Sequence, residues 1–179
     1  ISLTQLNTAP DVPTLLGPAS LVDGSTTGTN TPVFSFTLSD PDMADSVKYR
    51  IQIDDSLDFS GPVVDYISDL AAEGGATFQV GQAQGSGTYI AGTSGQTLSD
   101  TTYYWRVKTI DAAASESSYA TANSGLAAFI VDTAVRQVEF ESEALSGAES
   151  VTATSVRVVL SSTHFEDVSV TYSVVAAST

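Results

Sequence analysis

Two groups of aspartates flank one strongly patterned stretch of the sequence. Asp40, Asp42 and Asp45 precede "VKYRIQI", and Asp54 and Asp55 follow it. Carboxylate oxygens are the ligands that calcium prefers, so both groups are candidate calcium ligands. The alternative interpretation is turn chemistry on a solvated rim, because Asp side chains bond to turn backbone. A carboxylate pair for glycoside hydrolysis is a third and weaker interpretation. The two groups need not converge on one ion if they lie at opposite ends of one strand.

Nucleophilic and zinc chemistry lack the residues they need. The only histidine, His164, lies in "SSTHFED", which is typical of a turn between two strands, and the chain has no cysteine. No nucleophile-elbow motif accompanies His164, and a zinc site needs more His or Cys ligands than the sequence contains. We therefore expect no catalytic residues, no enzyme activity, and no cofactor other than calcium.

Aromatic residues are the candidates for ligand contact. Trp105 alternates in phase with Tyr103 and Val107, which favours a core position over a sugar-stacking platform. Three tyrosines fall in loop-like or edge contexts and are weak candidates for contact with a glycan: Tyr66, Tyr89 and Tyr119.

The charge of the chain is strongly negative. It carries 21 Asp and Glu against 6 Lys and Arg, a formal net charge of -15. Such a field repels phosphate groups, so nucleic acid and anionic membrane surfaces are poor candidate partners. No apolar run is long enough to cross a bilayer, which excludes membrane insertion by a helix. A β-rich composition without cysteine favours a microbial protein that is extracellular, either secreted or on the cell surface.

Period-two alternation predicts an all-β fold. It places Phe34, Phe36 and Leu38 on one face of 33–38, and the same pattern recurs in "VKYRIQI" and "TYYWRVKTI". The segment 63–68 is predicted to be an edge strand, and 71–97 is a Gly-, Ser- and Thr-rich stretch with short apolar pieces. About seven strands over residues 12–133 predict a β-sandwich of the immunoglobulin or fibronectin III type. The pattern restarts after it, so we expect three divisions: an N-terminal strand and linker (1–11), the sandwich (12–133), and a second, incomplete β-sandwich (134–179).

The sequence resembles two known families. "TPVFSFTLSDPD", "VKYRIQIDDSLDFS" and "LSDTTYYWRVKTID" together look like a bacterial fibronectin type III domain over about 12–133. On that resemblance, Leu98 and Tyr103 match the family's tyrosine corner, whose hydroxyl bonds back to nearby backbone. Residues 138–179 are similar to the first half of a Calx-beta domain, through the V-x-F opening and the "EDVSVTYSV" strand.

The half-domain resemblance leaves the apolar face of the last strand uncovered. Either an adjoining domain of the same chain or a second copy covers it, and strand addition is one way to do so. The predicted assembly residues lie in the two terminal strands: Ile1, Leu3, Val168, Val170, Tyr172 and Val174. The resulting hypothesis is a structural or adhesive module of a microbial surface protein or filament, an adhesin for example. It would self-associate head-to-tail by strand complementation or form part of a longer repeat chain. The alternative is a carbohydrate-binding accessory module of a secreted polysaccharide-degrading enzyme.

Overall fold

The computed structural model describes residues 6–42, 45–134, 138–140 and 158–160. The chain divides into two compact units, Ile1–Thr133 and Ala134–Thr179. Regular structure in the described residues consists of β-strands and three short 3-10 helices, Ala19–Leu21, Gln84–Ser86 and Ala122–Gly125. None of these helices has the length and apolar character needed to cross a membrane. The prediction of an all-β fold is confirmed.

The strands of the first unit form two sheets. The smaller sheet has the order β1-β3-β7, and the larger has the order β2-β11-β9-β4-β5-β8, with β10 beside β9 and β6 beside β4. The strand bounds are β1 Thr14–Gly17, β2 Thr26–Thr27, β3 Val33–Leu38, β4 Ser46–Asp54, β5 Val64–Ser68, β6 Ala71–Ala72, β7 Gly74–Gln79, β8 Gly87–Ala91, β9 Thr102–Asp111, β10 Ala120–Thr121 and β11 Phe129–Val131.

The core lies between the two sheets and is rich in aromatic side chains. Alternating residues of β3, β4 and β9 are buried as their period-two patterns predict. Phe34 has no exposed surface, and its ring packs against those of Phe78, Trp105 and Phe129. The indole Nε1–H of Trp105 donates a hydrogen bond of 2.6 Å to the Leu21 carbonyl. Trp105 is therefore a core residue with its one polar group satisfied, as buried indoles require.

The predicted tyrosine corner is present. The hydroxyl of Tyr103 donates to the carbonyl of Ser99 at 3.2 Å, four residues upstream. Leu98 and Tyr103 are both buried. This hydrogen bond fixes the turn that leads into the N-terminal end of β9.

The prediction of an edge strand at 63–68 is wrong. Strand β5 pairs with β4 on one side and with β8 on the other, so β8 is the outer strand. The Gly-rich segment 71–97 contains the strands responsible, because it forms β7 in the smaller sheet and β8 in the larger one. The apolar alternation of this segment is too weak to predict β7 or β8 from the sequence.

The C-terminal end of β9 is buried on both faces. Lys108, Thr109, Ile110 and Asp111 are all buried, although a half-covered strand would expose every second residue. The segment that follows β9 folds back along it: Ser117 N–H donates to the Thr109 carbonyl. Lys108 forms an ion pair with Glu116 in the same segment.

The second unit is described at two strands only. Strand β12 (Val138–Phe140) pairs antiparallel with β13 (Val158–Leu160), with Val138 opposite Leu160. Both were expected as strands of the second, incomplete sandwich, and the remainder of that prediction lies outside the described residues.

Candidate functional site

Three carboxylates meet at the end of the sandwich where β3 ends, β4 begins and β9 ends; we call this end the upper pole. Asp40 follows β3, Asp45 immediately precedes β4, and Asp111 is the last residue of β9. One carboxylate oxygen of each lies within 4.8 Å of those of the other two. The β3–β4 loop and the end of β9 converge because β4 and β9 pair antiparallel, with Val47 opposite Asp111.

The loop between β3 and β4 is shaped by its own aspartates. The Oδ1 atom of Asp40 accepts a hydrogen bond of 2.8 Å from the Asp42 N–H, which is the side-chain turn typical of Asp two residues before a donor. The Asp45 N–H in turn donates to the Asp42 carbonyl at 3.3 Å. Turn chemistry thus brings the Asp40 and Asp45 carboxylates to the same end of the sandwich.

Asp111 is held by both the following turn and the N-terminal linker. Its Oδ1 accepts from the Ser115 N–H at 2.7 Å, and its Oδ2 accepts from the Asn7 side-chain amide at 2.8 Å. Burial opposes ionisation of Asp111, but these hydrogen bonds outweigh it and lower the pKa of its carboxyl. Asp111 is therefore a buried carboxylate, 1% exposed, whose two oxygens accept hydrogen bonds from separate segments of the chain.

Asp40 is in the opposite situation. Its Oδ2 atom is shielded from solvent and has no hydrogen-bond partner. Burial raises the pKa of Asp40, and the neighbouring carboxylates of Asp42, Asp45 and Asp111 raise it further, against the hydrogen bond from the Asp42 N–H. A shielded carboxylate oxygen without a donor is costly unless a cation or a proton accompanies it.

The chemistry available at the upper pole is that of oxygen ligands. Neither of the two ion pairs in the described part of the chain, Arg50–Asp65 and Lys108–Glu116, includes these three aspartates. The pole can therefore hold a hard cation such as calcium, which takes oxygen ligands in flexible geometry.

The structure separates the two predicted aspartate groups. Asp54 is the last residue of β4 and Asp55 follows it, so both lie about 30 Å from Asp45 at roughly 3.3 Å per residue. Asp54 is buried, and its Oδ1 accepts from the Ser56 N–H at 3.2 Å, while Asp55 is exposed. The two groups therefore lie at opposite ends of β4, as the sequence allowed, and Asp54 and Asp55 are not part of the carboxylate cluster at the upper pole.

Asp111 and Asn7 belong to this pole but were missing from the sequence-based prediction. The signal for Asp111 was its place at the end of the "TYYWRVKTID" strand, because the end of that strand lies beside the start of "VKYRIQI" in an antiparallel pair. Asn7 carries no local signal, since its contact with Asp111 spans 104 residues.

The three tyrosines proposed for ligand contact do not form a binding surface. Tyr66 is fully buried, which corrects its assignment to an exposed context. Tyr89 is half-buried, and its hydroxyl donates to the Gln82 carbonyl at 3.0 Å. Tyr119 is half-buried with its ring over the Arg106 guanidinium. The predicted assembly residues Ile1, Leu3, Val168, Val170, Tyr172 and Val174 lie outside the described residues, as does His164.

Comparison with known proteins identifies the first unit. Residues 19–128, more than half of the chain, match a family described as Rha78A-like, N-terminal immunoglobulin domain. The chain belongs to this family. The match confirms the immunoglobulin-like part of the predicted resemblance, whereas the more specific fibronectin type III and Calx-beta assignments are not confirmed. No curated protein and no solved structure matches the chain.

Proposed function

We propose that the immunoglobulin-like unit is a non-catalytic structural module that connects neighbouring segments of a microbial extracellular protein in series. One observation carries this proposal: the polypeptide approaches the sandwich at the upper pole and leaves it at the opposite end, the lower pole. A module of this geometry extends a chain along its long axis.

Hydrogen bonds attach the N-terminal linker to the sandwich at the upper pole. The Asn7 amide donates to Asp111, and the Thr8 N–H donates to Asp42 Oδ2 at 2.6 Å. A little further along, the Asp11 N–H donates to the Ser39 carbonyl at 3.0 Å. The linker therefore meets the sandwich beside the carboxylates before it enters β1.

Hydrogen bonds also attach the segment that follows β11 to the sandwich at the lower pole. Strand β11 runs antiparallel to β9 and parallel to β2, so it leads away from the upper pole. Just beyond it, the Thr133 N–H and hydroxyl both donate to Asp100 Oδ1, at 3.1 and 2.8 Å. Asp100 lies two residues before β9 begins, so these two hydrogen bonds are at the lower end of that strand.

The attachment points of the N-terminal linker and of the segment after β11 are separated by the length of β9. Its ten residues, Thr102–Asp111, span about 30 Å at roughly 3.3 Å per residue. A force applied between the N-terminal linker and the segment after β11 acts nearly parallel to the strands. It therefore loads in shear the hydrogen bonds that join β11 to β2 and to β9. The backbone hydrogen bonds that Ala128, Ile130, Val131 and Asp132 donate to these neighbouring segments then resist together, which suits a spacer.

The family description and the composition agree with this proposal. Rha78A-like proteins carry this immunoglobulin domain at the N-terminus, which is the position of an accessory domain attached to others. A net charge of -15 favours solubility and repels anionic surfaces. No observation on the tyrosines favours the carbohydrate-binding alternative, because Tyr66 is buried and the other two make internal contacts.

The serial connection takes one of two forms, covalent continuation or strand complementation between copies, with Ile1 and Leu3 donated to the face that carries Val168 and Tyr172. Size-exclusion chromatography of the chain with and without residues 1–5 separates them, since that deletion keeps Asn7 and Thr8. Loss of a polymer on deletion supports strand complementation, and an unchanged monomer supports covalent continuation. Saturable hydrolysis of any glycoside or peptide by the pure chain would contradict the proposal of a non-catalytic module.

A further inference from the structure

We propose that Asp40, Asp45 and Asp111 bind a calcium ion, and that this ion fixes the N-terminal linker to the upper pole. The inference builds on the proposed serial connection, because a cation at this place would restrict the motion of the N-terminal linker relative to the module.

The first observation is the convergence of the three ligands. Their carboxylate oxygens lie within 4.8 Å of one another, close enough to share one ion at the 2.3–2.6 Å typical of calcium–oxygen bonds. They come from the β3–β4 loop and from the end of β9, which the pairing of β4 with β9 holds in register, so the arrangement does not depend on a single segment.

The second observation is independent of the cluster's charge. The Asp40 Oδ2 atom is shielded from solvent and accepts no hydrogen bond, while Oδ1 of the same carboxylate is used by the turn. Buried polar atoms nearly always have partners, and a cation shared with the neighbouring carboxylates would supply one for this oxygen. A bound ion satisfies this oxygen without changing the turn.

The nature of the ligands selects the ion. All three ligands are carboxylates, without nitrogen or sulfur, which suits hard cations and not zinc or copper. Calcium accepts irregular geometry and completes its coordination with carbonyls and water, whereas magnesium demands a near-ideal octahedron. Ligands gathered from a turn and a strand end fit calcium better.

Hydrogen bonds connect the N-terminal linker to the residues around the proposed ion. Asn7 bonds to Asp111 Oδ2, and the Thr8 N–H bonds to Asp42, which is part of the Asp40 turn. An ion that holds the β3–β4 loop and the end of β9 in place also holds the two aspartates that accept hydrogen bonds from the linker.

The test measures thermal unfolding of the full chain in calcium and in EGTA. The single tryptophan, Trp105, is in the core of the first unit, so its fluorescence reports on that unit. Saturating calcium should raise Tm by about 5–10 °C. Asp40→Asn and Asp45→Asn should abolish the rise, and Asp55→Asn, an equal charge change at the exposed opposite end, should keep it. In EGTA, Asp40→Asn should melt at or above the wild-type temperature, because it removes like-charge repulsion and keeps an Oδ1 acceptor.

A second readout follows the linker. Leu6 is 88% exposed and the chain lacks cysteine, so Leu6→Cys accepts a single nitroxide label. Calcium should slow the label's motion in this chain and leave it unchanged in the Asp40→Asn background. An absent calcium effect on Tm, or one that Asp40→Asn retains, would overturn the site. An equal effect of magnesium would overturn the calcium assignment, and a label insensitive to calcium would overturn the role in the linker.

Failure of this inference is distinguishable from failure of the proposed function. The separation between the two poles can be measured in EGTA, where no calcium is bound. A separation of about 30 Å there without any calcium response rejects the site and leaves the serial module standing.

Discussion

The outer face of the larger sheet carries a chain of polar contacts across β5, β4 and β9. Asp65 accepts from Arg50 Nε at 2.8 Å and Nη2 at 2.6 Å, and from Gln52 Nε2 at 2.8 Å. Gln52 Oε1 accepts from Arg106 Nε at 2.8 Å. The Arg106 guanidinium lies 4.2 Å from the ring centroids of both Phe59 and Tyr119. Asp65 is thus the acceptor at the start of a chain that joins three strands.

Replacement of Asp65 by Asn tests the importance of this acceptor. The amide keeps the shape of the side chain but loses its charge, and it turns an NH₂ group toward at least one existing donor. Breaking a buried ion pair costs about 3–5 kcal/mol. The Arg50 side chain is 29% exposed and recovers part of its hydration. We therefore expect Asp65→Asn to lower the free energy of unfolding by about 2 kcal/mol, or Tm by roughly 5–10 °C.

Urea unfolding followed by Trp105 fluorescence measures this change in the first unit alone. Asp69→Asn is the matched control, because Asp69 is exposed and only four residues away. A double-mutant cycle with Arg50→Gln should give a coupling energy of about 1 kcal/mol or more. The reasoning is refuted if Asp65→Asn and Asp69→Asn have equal midpoints, or if the coupling energy is within error of zero.

Two further substitutions test local features of the fold. Tyr103→Phe removes the hydrogen bond to the Ser99 carbonyl, and we expect a loss of about 1 kcal/mol in urea unfolding; an unchanged midpoint would mean that the corner does not stabilise the fold. Gly81→Ala should destabilise the unit by several times more than Gly85→Ala in the same assay. Gly81 has φ +77° and an added Cβ would lie 2.3 Å from the Gln96 carbonyl oxygen, whereas one at Gly85 meets nothing within 4 Å. Equal effects would contradict this account of the Gly81 backbone.

Sequence pattern predicted those parts of the fold in which one strand has one buried face. Phe34, Phe36 and Leu38 alternate cleanly, and each is buried as predicted. The pattern failed where burial is decided by distant segments. Strand β5 looked like an edge because its outer neighbour, β8, comes from a Gly-rich stretch with little apolar content.

The candidate site was half predictable for the same reason. Asp40 and Asp45 share one loop and were found together, and the sequence placed Asp54 and Asp55 in a second group beyond the following strand. A strand of nine residues separates the two groups in space. Asp111 joins Asp40 only through the antiparallel register of β4 and β9, which the sequence does not specify by itself.

The distance between the two poles tests the proposed serial module most directly. Nitroxides on Leu6→Cys and Thr101→Cys mark the approach and the exit: Leu6 is one residue before Asn7, and the Thr101 carbonyl accepts the Val131 N–H. Both are exposed, and no native cysteine interferes. Pulsed electron–electron double resonance on the full chain should give a distribution centred near 30 Å, the approximate length of β9. A distribution centred below about 20 Å would place approach and exit at the same end and contradict the account.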